Sequence, residues 1–262
     1  MIHAKKSLGQ NFLNSKAVAR EIVLAGNLHE GDVVLEIGPG KGFLTEEILK
    51  TDAYVIAVEK DDRMIPLLQE KFIAETKEGR LILIHGDIVE LLETKSLVLP
   101  AHYKLIANIP YYITGYLLRA FLEMDTKPER MILMLQKEVA DRIVARDKKE
   151  SVLSIAVKAY GTPKIIKKVP ARYFTPAPKV DSAVLAIENI SNKHFTDKND
   201  EKFFFEVVRA GFAHKRKQLF GNLKDVFGEK TLRALDTSGI LPNVRAEDIS
   251  LEDWLKLKGE LG

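Results

Sequence analysis

The stretch VVLEIGPGKG, Val33 to Gly42, decides the fold. Val33–Gly38 is a short aliphatic run of the length and composition of a strand buried on both faces. It ends in Gly38-Pro39-Gly40-Lys41-Gly42, a glycine turn, and a helical pattern over Thr45–Lys50 follows at once. A buried strand that runs through a glycine turn into a helix is the opening βα turn of an open α/β sheet, the place where such sheets bind ligands.

The chain on either side repeats the theme. Tyr54–Glu59, Leu81–Asp87, Tyr103–Ile109 and Met131–Gln136 are further Val-, Ile- and Leu-rich runs. Helical periodicity marks Ser15–Leu24 (with Asn14 or Ser15 as N-cap), Asp62–Lys71 and Thr114–Met124. Alternation of this kind predicts βαβ units and a mostly parallel sheet. Lys164–Val169 and Ser182–Glu188 finish the domain. The proline-bearing segment Thr175–Lys179 between them leaves no room for a crossover helix, so they should pair antiparallel. After Asn189 the texture changes: 190–200 is polar and turn-rich, and Glu201–Ala213, Lys215–Val226, Thr231–Asp236 and Leu251–Glu260 read as helices. The expectation is an α/β domain over 1–190 and a small all-helical domain over 191–262.

Composition sets the outer limits. The chain has 262 residues, 46% of them hydrophobic and 29% charged, ordinary for a globular protein with a sizeable core. It contains no cysteine, and its six histidines are scattered, so neither disulfides nor a metal centre are expected. No apolar run approaches the ~20 residues of a membrane span, and the first residues lack a signal-peptide pattern. A cytoplasmic monomer is the expectation. The net charge of +3 conceals segregation. Residues 1–20 carry Lys5, Lys6, Lys16 and Arg20 with no acid, and residues 137–179 carry 11 Lys and Arg against four acids, leaving the remainder acidic. A basic face on an acidic body is the footprint of a polyanion binder.

The strand ends carry the chemistry. In order they present the glycine turn with Gly38 and Gly40, then Glu59, then Gly86-Asp87, then Asn108-Ile109-Pro110-Tyr111. Glycines let the backbone approach a ligand closely. An acid about 20 residues past the turn can accept both hydrogen bonds of a ribose diol, and Asp87 suits the amino group of an adenine. Phe43 stands where the third glycine of a dinucleotide GxGxxG would fall, which favours a nucleoside with an amino-acid tail over a pyrophosphate and disfavours an NAD-dependent oxidoreductase. The Asn108 side-chain oxygen and a backbone carbonyl beside Pro110 could hold the two hydrogens of an exocyclic amine. Pro110 would fix that carbonyl's direction, and Tyr111 could stack on an extruded purine.

These residues carry a resemblance. Lys6-Ser7-Leu8-Gly9-Gln10-Asn11-Phe12-Leu13, the EIGPGKG turn, Asn108–Tyr112, Phe174–Val184 and Phe212–Lys217 are together similar to the ribosomal RNA adenine N6-dimethyltransferases, the bacterial small-subunit type above all. Ile109 stands where that family more often has Leu. The resemblance implies a class I, Rossmann-like seven-stranded methyltransferase domain with a helical C-terminal domain, and S-adenosylmethionine as methyl donor. By position, Asn11 and Leu13 would close over the donor, and Gly38 and Gly40 would meet its methionine end. Glu59 would hold the ribose and Asp87 the adenine. Asn108 would lie between donor and target, with Pro110 and Tyr111 beside it, and Phe174 would sandwich the flipped base opposite Tyr111. The implied substrate is a pair of adjacent adenosines in the 3′-terminal hairpin loop of 16S rRNA, within an immature small subunit. The macrolide-resistance type, which modifies 23S rRNA, shares the glycine turn and the NIPY motif. Tyr112, the KVDSAV run and FAHKRK favour the small-subunit type. An assembly factor with a vestigial donor site is the alternative from outside enzymology.

Overall fold

The computed structural model describes residues 4, 5 and 8–262; Lys6 and Ser7 of the N-terminal motif lie outside the described residues. In chain order the elements are β1 (Phe12–Leu13), α1 (Lys16–Gly26), β2 (Val33–Ile37), α2 (Phe43–Leu49), β3 (Tyr54–Glu59), α3 (Met64–Lys71), α4 (Ile73–Lys77), β4 (Leu81–His85), α5 (Ile88–Glu93), β5 (Lys104–Asn108), α6 (Thr114–Glu123), β6 (Arg130–Gln136), α7 (Lys137–Val144), α8 (Val152–Tyr160), β7 (Thr162–Val169), β8 (Phe174–Thr175), β9 (Ser182–Glu188), α9 (Lys198–Gly211), α10 (Leu219–Phe227), α11 (Lys230–Thr237) and α12 (Leu251–Leu261).

Seven strands form one sheet in the order β4-β3-β2-β5-β6-β9-β7. The pairs from β4 to β6 are parallel, and β9 runs antiparallel to both β6 and β7, the second as the short Pro-bearing connection between β7 and β9 requires. Register matters here because a strand's side chains alternate between faces. Val34 on β2, Ile106 on β5, Val55 and Ala57 on β3, and Ile132 and Met134 on β6 share one core with Val18, Ala19 and Ile22 of α1. Helix α1 starts at Ser15, whose side chain accepts from the Val18 N–H, and it stops at Asn27, left-handed at φ 47°. A separate two-stranded ribbon pairs β1 with β8, Phe12 opposite Thr175 and Leu13 opposite Phe174. Strands of two residues give no periodic signal, and the sequence reading has no counterpart to this ribbon.

The chain divides into two compact units, residues 1–140 with 162–190, and residues 141–161 with 191–262. A boundary at 190/191 therefore misassigns 141–161. The reason is local packing within the second unit: Tyr160, at the end of α8, lies 5.6 Å from Phe195 and 5.9 Å from Phe205 by ring centroids, and its hydroxyl donates to Glu201 at 2.7 Å. A fully buried tyrosine with that partner ties its helix to α9. Helix α10 begins at Leu219 rather than Lys215. Residues 213–218 form an exposed loop, pinned by Asn222, whose Nδ2 donates to the carbonyls of Gly211 and His214. No described helix is long and apolar enough to cross a membrane.

Candidate active site

Parallel pairing from β4 through β5 brings four strand ends to one edge of the sheet. Register then selects the face. Glu36 stands beside Ala57 and Ile106, so Glu59, two residues past Ala57, and Asn108, two past Ile106, project from the same face as Glu36. A cleft opens there, lined by Gly38, Gly40, Glu36, Glu59, Asp87, Asn108, Pro110 and Tyr111, and by the N-terminal segment from Leu8 to Leu13.

The glycine turn builds the floor. Gly38 has φ +68°, and a Cβ there would meet nothing within 4 Å: it would project into open space at the cleft wall. Gly42, at φ +70°, is different, because a Cβ would lie 2.6 Å from a ring carbon of buried Phe72. Glu59 organises the turn. Its Oε2 accepts the Gly40 N–H at 2.9 Å and its Oε1 accepts the Asp61 N–H at 2.7 Å. Burial raises its pKa above the usual carboxylate range, against those backbone hydrogen bonds. Glu36 is also buried, and its Oε2 has no hydrogen-bond partner.

The N-terminal segment lies along the cleft and is held at several points. Asn108 Nδ2 donates to the Asn11 carbonyl at 3.2 Å, which leaves Asn108 Oδ1 without a donor among the described residues. Gln10 Nε2 donates to Asp61 Oδ2 at 2.7 Å, and Asp61 also takes a two-pronged contact from Arg63. The Arg63 guanidinium keeps the Asp61 carboxyl well below the usual range. Leu13, in the ribbon, is buried. The tie from Gln10 to Asp61 is absent from the sequence reading, since nothing in the spacing of residues 10 and 61 announces it.

Two expectations change. Asp87 lies in the cleft wall, but it also caps α5: Oδ1 accepts the Val89 N–H at 3.0 Å and Oδ2 pairs with Lys60 at 2.5 Å. Those contacts hold its pKa down despite burial, which works the other way. Phe174 does not face Tyr111 across open space. It is 4% exposed, belongs to the core with Leu13, and is absent from the cleft lining, because the ribbon buries its ring. Tyr111 is half-buried, with its hydroxyl 2.8 Å from Ser182 Oγ, and Tyr112 beside it is 63% exposed. The Pro110 carbonyl accepts the Ile113 N–H at 3.2 Å in the following turn and keeps one lone pair.

Comparison with known proteins places this architecture. The family model described as ribosomal RNA adenine dimethylase matches residues 1–261. A ribosomal RNA small subunit methyltransferase A from Dehalococcoides mccartyi is 42% identical over 259 residues, covering 98% of this chain and 88% of that protein. Among solved structures, a dimethyladenosine transferase from Plasmodium falciparum superposes with TM-score 0.77 at 25% identity, covering 94% of this chain and 95% of that one. The 23S rRNA methyltransferase ErmE superposes equally well, TM-score 0.77 over 96% and 99% of the two chains, and at 24% identity it supports the fold. A Rossmann-like sheet with its strand ends so furnished, followed by helices, is a methyltransferase fold, and the chain belongs to the ribosomal RNA adenine dimethylase family.

Proposed function

We propose that this protein transfers methyl groups from S-adenosylmethionine to N6 of two adjacent adenosines in the 3′-terminal hairpin loop of 16S rRNA, dimethylating each during small-subunit assembly. The observation that carries the reading is the convergence of Glu59 and Asn108 on one face of the sheet beside the open space at Gly38. The donor set fits a nucleoside with a cationic amino-acid tail: a carboxylate with lone pairs to spare, a bare backbone turn and a second buried acid. When bound, S-adenosylmethionine supplies a methyl group on a sulfonium leaving group, so no strong base is required.

Glu59 is already aligned by two backbone N–H groups, and each oxygen retains a lone pair for the ribose hydroxyls. Gly38 leaves room for the methionine end and Gly40, where the Phe12 ring fills the space a Cβ would take, meets it through its backbone, with Asn11 and Leu13 over it. Asp87 serves the adenine of the donor with the capacity that Lys60 and Val89 leave. Asn108 Oδ1 and the Pro110 carbonyl accept the two hydrogens of the target amine and turn its lone pair toward the donor; alignment does most of the work. Tyr111, its hydroxyl held at Ser182, offers a ring for the splayed base. Phe174 joins it only if β8 separates from β1. Lys215 and Arg216 on the exposed loop of the second unit, with the basic segments 1–20 and 137–179, engage the rRNA backbone. The protein acts in the cytoplasm as a monomer.

Incubation with labelled donor and unmethylated small subunits, followed by mapping of modified bases, tests the whole reading. Label at two adjacent adenosines of the 3′ hairpin is expected; label in 23S rRNA alone would establish the macrolide-resistance type of reaction instead. Asn108→Ala should bind subunits normally and lose roughly 10²–10³-fold in methyl transfer. Unchanged turnover would remove Asn108 from the mechanism.

A further inference from the structure

Glu36 is an acid without an assigned task. It is 1% exposed, it lies in the cleft lining, and its Oε2 is orphaned. A buried carboxylate normally collects two or three donors. Its surroundings offer little. From β3 it faces Glu59, an acceptor of backbone N–H groups that offers Glu36 no donor and adds like charge. From β5 it faces the apolar Ile106. From α2 come the hydroxyl and backbone N–H of Thr45, which favour the ionised carboxyl, although neither that buried hydroxyl nor Glu36 Oε2 closes a hydrogen bond. From α3 comes the attraction of Lys71, but that ammonium is held by Glu46 at 3.0 Å and by the carbonyls of Lys41 and Gly42. Burial, with Glu59 adding to it, pushes the Glu36 carboxyl up to about 8, and Thr45 and Lys71 offset only part of that.

We infer that Glu36 reads the charge of the ligand: it stays protonated in the free enzyme and with the demethylated product, ionises when the cationic donor binds, and so favours donor over product. This deepens the reading of the cleft as a methyl-donor site and rests on it. The donor carries one carboxylate, one ammonium and one sulfonium, net +1; after transfer the sulfur is a neutral thioether and the net charge is zero. The two ligands have nearly the same shape, so charge is the property by which a protein can tell them apart. On donor binding the Glu36 O–H bond breaks, its electron pair stays on the carboxylate and the proton passes to solvent; transfer of the methyl restores the preference for the protonated form, and the site loosens its hold on the product. Glu59 cannot play this part as readily, because its two backbone donors favour its ionised state.

Calorimetric titration at pH 7 in phosphate and in Tris, buffers of different ionisation heat, counts the protons exchanged. At that pH a carboxyl titrating near 8 is about nine-tenths protonated. S-adenosylmethionine should release roughly 0.5–0.9 proton per site, and S-adenosylhomocysteine close to none. Glu36→Gln keeps the shape and should abolish the release and narrow the affinity ratio of the two ligands by about tenfold, the equivalent of one pKa unit. Equal proton counts for both ligands in the wild-type protein would overturn the inference, as would release that survives in Glu36→Gln. Binding of donor without any proton release sinks this inference alone; failure of either ligand to bind would sink the donor-site reading and this with it.

Discussion

Substituting alanine for Gly38 and for Gly42 separates the cofactor floor from the core. Both residues have positive φ, +68° and +70°, so in each case alanine is forced into the left-handed region at about 1–2 kcal/mol. The methyl groups meet different surroundings. At Gly38 the added Cβ has nothing within 4 Å. At Gly42 it would lie 2.6 and 2.9 Å from two ring carbons of Phe72 and 3.0 Å from Leu68 Cδ2, both side chains buried and close-packed. Such overpacking adds roughly 1–3 kcal/mol. Gly42→Ala should therefore cost about 2–5 kcal/mol in total, against 1–2 for Gly38→Ala. At ~2–4 °C per kcal/mol for a domain of this size, thermal melting should place Gly42→Ala roughly 4–20 °C below the wild type and Gly38→Ala only ~2–8 °C below. Donor titration inverts the order: Gly38→Ala, whose methyl enters the cleft, should lose at least tenfold in affinity, or about 1.4 kcal/mol, while folded Gly42→Ala loses less. Equal melting losses for the two variants would refute the packing argument, and unimpaired donor binding by Gly38→Ala would refute the placement of the ligand.

Three other outcomes follow from the same geometry. Because Glu36 titrates near 8 in the folded state and at 4.5 as an unperturbed group, the unfolded chain loses its proton first as pH rises; wild-type stability should fall relative to Glu36→Gln between those limits and level off above, by roughly 5 kcal/mol at most, as chemical denaturation at pH 5, 7 and 9 would show. Tyr160→Phe strands the buried Glu201 oxygen and should destabilise the second unit by about 1–3 kcal/mol, read from its denaturant midpoint. Affinity for rRNA should drop steeply between ~50 and ~200 mM salt if the segregated basic segments contact phosphates, and a flat salt response in a filter-binding assay would make that segregation incidental.

The parts of the molecule legible in the sequence are those with a local signature. Val33–Ile37 announces itself by aliphatic content and by the glycines that follow, and the antiparallel pairing of β7 with β9 follows from the length and prolines of their connection. Glu59 and Asn108 could be placed because strand ends in a parallel sheet share an edge. What stayed hidden depends on partners far away in sequence. The tie from Gln10 to Asp61 and the ribbon from Phe12–Leu13 to Phe174–Thr175 are created by the fold and leave no periodic trace. The burial of Phe174 follows from that ribbon, so the aromatic clamp expected of it could not be judged from its loop composition. Glu36 is a different case: an acid within an otherwise aliphatic strand is visible at once, and only its missing hydrogen-bond partner shows that it is unusual.

The interleaving of the two units dictates the order in which the protein can be made. Helix α8 emerges from the ribosome well before α9, yet its buried side chains Ile155, Val157, Ala159 and Tyr160 belong to the unit completed only by residues 191–262. During synthesis an apolar helix must wait, uncovered, for Phe195 and Phe205 to arrive. A chain stopped at residue 190 keeps that helix without its counterpart, so trimming the C-terminus should yield a sticky fragment rather than a free-standing catalytic domain.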